Sequence, residues 1–410
     1  MKITFFLNQF PEPSETFVIN QIIGLIKLGN EVNIIATRKG NVAQCHQSVI
    51  DYSLIEKTTY LTAESTKDST INIRAKRILN TIKPLNIKNK LKALNIKRFG
   101  IHSQSLLLPS IVSQNSKVYE ADIFVAHFGT AGVVANKLRE LNLLKGKLIT
   151  IFHGSDISVH SILKLFKDDY KKLFMTGELM VPISDLWRNR LVELGCPENK
   201  IKVNRMGIDS KQFECRELNK PLSNILKIIT VARFTEKKGL TYALDAMAIL
   251  QSKGIKFEYN IIGGGELKSD IENQIAKLAL KNVKLLGFQP QNKVSELLNE
   301  SDVFLLPSIT AKTGDMEGIP VSLMEAMAMG LLTVSTYHSG IPELISDSQN
   351  GFLVPERNTE EIANVVQKIV NNEINIEEIR KEAKARIDTS FEQTKLYKEF
   401  VGILEKVNEQ

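Results

Sequence analysis

A chain of 410 residues is too long for one ordinary hydrophobic core, which makes two domains the default. With 43% hydrophobic and 24% charged residues it reads as an ordinary globular protein, and no run approaches the roughly 20 apolar residues of a membrane span. The net charge is +7 and only Cys45, Cys196 and Cys215 occur, without CxxC or metal-ligand spacing, so reduced thiols in a cytoplasmic setting are expected; no nucleic-acid-binding motif is present.

In chain order, the apolar run 3–7 is too short for the core of a signal peptide and leads into Asn8, Gln9, Phe10 and Pro11. Strands are expected over 3–7, 31–37, 122–127, 147–152 and 179–182, with helical patterns between them, for example 17–28 and 185–194. Between Lys67 and Arg98 stand ten Lys or Arg residues against one acid, Asp68. Two readings stay open for this stretch: a solvated helical face, or a patch for an anionic membrane surface or acceptor. A fresh strand series then begins at 227–232 and continues over 257–262, 283–286, 303–307 and 331–335, with helices over 240–252 and 294–300 between them. This alternation is the signature of parallel α/β sheets, and the restart suggests two doubly wound halves. The expected organisation is a first domain over 1–206, a linker over 207–224, a second domain over 225–385 and a C-terminal helix over 386–410, which either packs locally or crosses back.

Doubly wound sheets bind ligands at the carboxyl ends of their strands. The unusual residues collect there: Asn8 to Thr16 after the first strand, His153-Gly154 after the fourth, Arg233 at the start of the second series, Gly263-Gly264-Gly265 after the next strand, and Ser308 to Pro320 further on. Arg233 and Lys238 lie near a helix start, where a guanidinium and an ammonium suit a diphosphate. Pro320 fits the first position of a helix running to about 329. Glu317 lies in the loop before that helix and Glu325 lies inside it, so two carboxylates flank a helix N-terminus able to hold phosphate oxygens. Read alone, each of these is equally a surface salt bridge or a helix-dipole partner.

Together they carry a resemblance. The run from Glu317 to Glu325 resembles the E-x7-E motif of the family 4 retaining glycosyltransferases, and Arg233-x4-Lys238 resembles that family's donor-phosphate pair. His153-Gly154, Gly263 to Gly265 and Ser339-Gly340-Ile341-Pro342-Glu343 fall where the family has its other signatures. The runs Phe10 to Phe17 and Gly314 to Pro320 look closer still to a bacterial subgroup that builds colanic-acid-like exopolysaccharide and capsule repeat units; Ser14, Glu15 and Thr16 stand there in place of the family's common glycine pair.

The resemblance implies an α/β GT-B fold, two Rossmann-like doubly wound parallel-sheet domains facing a cleft, the acceptor mainly on the first domain and the donor on the second. It implies that Arg233 and Lys238 neutralise the donor diphosphate, that Glu325 holds the ribose hydroxyls, that Glu317 contacts the transferred sugar and that His153 lies over that sugar. Gly263, Gly264, Gly318, Ile319 and Pro320 fall on the donor side; Ser14, Glu15, Thr16 and His127 fall on the acceptor side. The expected reaction is retaining transfer from a UDP- or GDP-linked sugar to a lipid-linked or oligosaccharide acceptor, by front-face attack. No cofactor and no metal are expected: the chain has no D-x-D triad, and Arg233 and Lys238 can carry the leaving-group charge. A sugar-nucleotide epimerase or a phosphorylase on the same fold is the alternative. An NAD-dependent oxidoreductase is disfavoured because neither first strand is followed by G-x-G-x-x-G.

Overall fold

The computed structural model describes residues 1–83, 86–213 and 215–410; residues 84 and 85, inside the basic stretch, and Glu214, inside the expected linker, lie outside the described residues. Twelve strands form two six-stranded sheets. The first holds β1 (Lys2–Phe10), β2 (Glu31–Lys39), β3 (Thr58–Tyr60), β4 (Tyr119–His127), β5 (Leu144–Phe152) and β6 (Leu179–Pro182), in the order β3-β2-β1-β4-β5-β6. The second holds β7 (Leu226–Val231), β8 (Phe257–Ile262), β9 (Val283–Gly287), β10 (Val303–Leu305), β11 (Leu332–Thr336) and β12 (Phe352–Val354), in the order β12-β11-β10-β7-β8-β9. All neighbours pair in parallel. Counted within each half, the two orders are the same, so each sheet reverses direction at its first strand: between β1 and β4, and between β7 and β10. Those reversal points are where a doubly wound sheet opens a crevice at its carboxyl edge.

The inner strands are continuous apolar runs because helices cover both faces. Ile123 to Ala126 in β4 and Leu148, Ile149, Ile151 and Phe152 in β5 are buried throughout. Two edge strands, β3 and β12, went unread in the sequence. Each has three residues, below the length at which alternation or an apolar run gives a signal. β1 runs to Phe10 rather than ending at Leu7, since Gln9 and Phe10 still pair with Arg38 and Lys39 of β2.

The C-terminal helix Gln393–Glu409 crosses back to the first domain. Its Tyr397, Phe400, Leu404 and Val407 join the core that contains β1 and β4, and Lys147 Nζ donates to the carbonyls of Val407 and Asn408 at 2.7 and 2.9 Å. The preceding helix Ile376–Ser390 stays on the second domain, where Ala383, Ile387 and Phe391 are buried. Segment 207–224 is no slack tether. Ile208 and Phe391–Gln393 exchange backbone hydrogen bonds, and the buried Arg216 donates to the carbonyls of Leu298, Ser301 and Met329 at two helix ends.

Candidate active site

The two reversal points face each other, and the loop 308–320 spans the gap. Met316 N donates to Ser158 Oγ at 3.3 Å, and His160 N donates to Thr313 O at 3.0 Å. Glycine makes the approach possible: a Cβ on Gly318 would stand 2.6 Å from Ile183 Cδ1 and 3.1 Å from His153 O. A second crossing is ionic. Glu343 accepts from Leu186 N at 3.1 Å, at the start of the helix Asp185–Glu193, and pairs with Arg205 at 2.6 Å. Glu343, in the Ser339–Glu343 signature, therefore ties the two domains together.

On the second domain, Glu317 and Lys238 form an ion pair, Oε1 to Nζ 2.7 Å, with both side chains largely buried. Burial pushes the Glu317 carboxyl up, but the Lys238 and Lys237 ammoniums outweigh it and hold the group below its ordinary value. Lys237 is itself paired with Asp315 at 3.1 Å. Arg233 is exposed and makes no ion pair among the described residues. Its loop is gripped by the triple glycine: Phe234 N donates to Gly264 O at 2.8 Å, Ala232 N donates to Ile262 O at 3.0 Å, and a Cβ on Gly265 would stand 2.6 Å from Phe234 O. Gly263 and Gly264 therefore act on Arg233 by fixing its backbone.

The helix after the loop is Val321–Ala328, and Pro320 is its N-cap with ψ 123°, one position earlier than expected. Its ring forces φ, but the extended ψ keeps it outside the helix. The Ile319 side chain is buried in the second-domain core, so only its backbone is available to a donor. Glu325 is half-buried on this helix and its carboxyl has no hydrogen-bond or ionic partner among the described residues; burial raises that carboxyl to about 7. Glu317 and Glu325 thus have opposite electrostatic settings within one turn-and-helix unit.

Across the gap, His153 Nε2 lies 3.0 Å from His127 Nδ1, and the rings stack with centroids 5.1 Å apart. Burial lowers His127 well below the usual imidazole range and His153 to about 3, so both are neutral at physiological pH. His127 is 0% exposed and packs on Phe5 and Phe17. Its ring backs His153, and the residue also lines the cavity on the expected acceptor side. Asp156 fixes the loop beneath, accepting from the backbone N–H of Gly129, His153 and Gly154 at 2.7, 3.1 and 2.9 Å.

Beside this pair is a cavity of about 270 Å³, lined by Asn8, Gln9, Glu15, Arg38, Ser155 and Thr130 among others. Burial, then the nearby Glu12 carboxylate, raises Glu15 to about 7. Ser14 is exposed and donates to Glu12 at 3.2 Å, and Thr16 is the exposed first residue of the helix Thr16–Lys27, so of the three loop residues only Glu15 lines the cavity. Arg38, which the sequence reading did not select, also lines the cavity and donates to Gln9 Oε1 at 3.0 Å.

Two further residues, His338 and Glu356, escaped the sequence reading, and Thr310 was covered only as part of the run Ser308 to Pro320. Glu317 N donates to His338 Nε2 at 3.1 Å; that nitrogen must then be unprotonated, so the ring proton sits on Nδ1, 2.6 Å from Glu356 Oε1. Glu356 also accepts from Thr310 N at 2.9 Å. His338 follows β11, Glu356 follows β12 and Thr310 follows β10. The rule that found Arg233 would have found His338, had it been carried past β11, whereas Glu356 stayed hidden because β12 went unread. Among the described residues no three His, Cys, Asp or Glu side chains converge as a metal cage requires.

Residues 214–386 match the family described as glycosyl transferases group 1. The chain is 45% identical over 408 residues to the amylovoran biosynthesis glycosyltransferase AmsK of Erwinia amylovora, covering 99% of this chain and 100% of that one. It is 43% identical over 410 residues to the putative colanic acid biosynthesis glycosyltransferase WcaL of Escherichia coli K12, again covering 99% and 100%. Among solved structures it is similar to Anabaena Alr3699/HepE in complex with UDP, with a TM-score of 0.71 at 17% identity, covering 99% of this chain and 100% of that chain.

Proposed function

The chain belongs to the glycosyl transferases group 1 and has their GT-B fold, and on that premise we propose that it transfers a sugar from a UDP- or GDP-linked donor to a lipid-linked or oligosaccharide acceptor in exopolysaccharide assembly, with retention and without a metal ion. The names of the two full-length relatives support the exopolysaccharide role, and the UDP complex of the structural neighbour supports a nucleotide-sugar donor. Three free cysteines support a reducing, cytoplasmic setting, and no helix among the described residues is long and apolar enough to cross a membrane.

The charge layout at the facing strand edges carries the proposal. An unpaired Arg233, a Lys238 held by one carboxylate and the start of the helix Val321–Ala328 all lie at the carboxyl edge of the second sheet, where a diphosphate would gain charge as it leaves. Glu325, whose carboxyl lacks a partner, can accept hydroxyl donors from a ribose. Glu317, held ionised, can accept from hydroxyls of a sugar that becomes positive as its bond to phosphate breaks. His153, neutral, can hydrogen-bond that sugar without adding charge. In the step itself the acceptor oxygen bonds to the anomeric carbon on the face the phosphate leaves, and the departing phosphate oxygen takes the acceptor's proton. Turnover of a UDP- or GDP-sugar in excess chelator, followed by proton NMR of the product's anomeric signal, tests this. Transfer with the donor's configuration is expected; an inverted product, a strict metal requirement, or donor conversion with no acceptor present would overturn it.

The Glu325 carboxyl gives a pH prediction. In the free protein it is about half protonated near pH 7. The carboxylate accepts ribose hydroxyl donors more strongly than the neutral acid does, so binding lowers its pKa and affinity falls as pH drops through about 7. For a single linked proton the loss from pH 8 to pH 6 approaches about tenfold. Glu325→Gln should weaken nucleoside diphosphate binding by roughly 1–3 kcal/mol. It should also remove this part of the pH dependence, while titration of the ligand's own phosphate persists in both proteins. Isothermal titration at the two pH values separates the contributions; an unchanged slope in the variant would remove Glu325 from the nucleoside site.

A further inference from the structure

The helix Thr70–Ile82 is held to the first domain from one side only. Arg77 pairs with Glu64 at 2.7 Å and donates to Ser105 O at 3.0 Å, and Lys76 pairs with Asp68 at 2.7 Å; no residue of the helix is fully buried. Away from those anchors stand Ile71, Ile78, Leu79 and Ile82, at the spacing of one helical stripe. The next helix, Ile87–Ala93, and the residues after it expose Ile87, Leu91, Leu94 and Ile96. Eight of the sixteen exposed large hydrophobic side chains among the described residues therefore lie between 71 and 96. Soluble surfaces scatter such residues singly, so a cluster of this kind marks a contact surface.

The charge around the stripe has one sign. Of the ten cations between Lys67 and Arg98, three are spent on carboxylates: Lys76 on Asp68, Arg77 on Glu64 and Arg98 on Glu140. Lys67, Arg74, Lys83, Lys88, Lys90, Lys92 and Lys97 pair with no carboxylate among the described residues, and the one acid of the stretch, Asp68, is already taken.

We propose that this face docks the protein on an anionic lipid bilayer, the isoleucines and leucines entering the boundary below the headgroups and the seven cations without a carboxylate partner resting on lipid phosphates. Aliphatic side chains rimmed by lysine, with no acid between them, fit that interface. A second copy of the same face would bring these seven cations against seven others, which like-charge repulsion opposes. Nucleic acid would satisfy the cations but offers no counterpart to the aliphatic stripe. The inference stands on this surface alone and does not depend on the reaction proposed above.

Co-sedimentation of the full chain with phosphatidylcholine vesicles, with and without about one-third phosphatidylglycerol, tests it. Binding is expected to the anionic vesicles, weakened as salt rises but with an apolar remainder surviving at ~1 M, where screening has cut the charge contribution. The variant Ile71→Asn/Leu79→Asn/Leu91→Asn changes three exposed side chains, so its melting temperature should match the parent while its vesicle affinity falls by about tenfold or more at every salt concentration. Lys88→Glu/Lys92→Glu should lose about as much at low salt and lose the preference for anionic lipid. Equal binding to neutral and anionic vesicles, binding to neither, or parental binding by the asparagine variant would overturn the proposal. So would a dimer in solution that the asparagine variant dissociates, because a second copy would then cover the face.

Discussion

Replacing Glu317 with glutamine is expected to cut kcat by about a hundredfold or more while leaving free nucleoside diphosphate binding at or slightly above the parental level. The carboxylate lies 2.7 Å from Lys238, in a setting that keeps it ionised despite burial. If it faces the transferred sugar, its charge matters most when that sugar becomes positive, and an interaction made only in the transition state appears in kcat. The amide keeps the shape and one acceptor but loses the charge. It also releases Lys238 from its partner, so the nucleotide's phosphates meet a less occupied ammonium, which is why affinity should not fall. Steady-state kinetics beside isothermal titration with the nucleoside diphosphate gives both numbers. A parental kcat would reduce Glu317 to a structural partner of Lys238, and an affinity loss equal to that of Glu325→Gln would erase the division of labour between the two carboxylates.

Lys238→Ala should lower kcat by about two to three orders of magnitude, through loss of charge at the leaving group. It should also change the pH profile. With the ammonium gone, burial is far less opposed and the Glu317 carboxyl rises from its depressed value. The parental enzyme keeps Glu317 ionised through neutrality, whereas the residual activity of the variant should climb with pH across that range as Glu317 loses its proton. The same pair bears on stability. A depressed carboxyl contributes above its unfolded pKa and loses that contribution as pH falls through the folded one, so Lys238→Ala should lower the melting temperature at neutral pH more than at acidic pH. Arg233→Ala is the control. Arg233 is exposed and unpaired, so its removal should cost turnover on the same scale with an unchanged melting temperature and no new pH dependence. Identical pH profiles for the two variants would mean that Lys238 does not govern the Glu317 charge.

The amino-acid sequence by itself determined the two parallel sheets and the edge on which the site is built. Local apolar runs and their restart at 227 are short-range signals, and the carboxyl-edge rule then turns strand order into a set of candidates: Arg233, Lys238, His153, Glu317 and Glu325. Ranking those candidates came from resemblance, since a lone Arg-x4-Lys or a pair of glutamates is physically ambiguous. Only the tertiary structure decided what depends on contacts between distant residues. His127 and His153 are 26 positions apart and become a stacked neutral pair because β4 and β5 are adjacent in register. His338, Glu356 and Thr310 converge beneath Glu317 because three neighbouring strands, β10, β11 and β12, end at the same edge. The titration of the two glutamates could not be read in advance, because burial acts on both and only Glu317 has a lysine beside it. The basic stretch shows the same division. Its charge is legible in the residues, but whether its isoleucines and leucines face the core or the solvent is settled by which side of the helix Arg77 and Lys76 anchor to the domain.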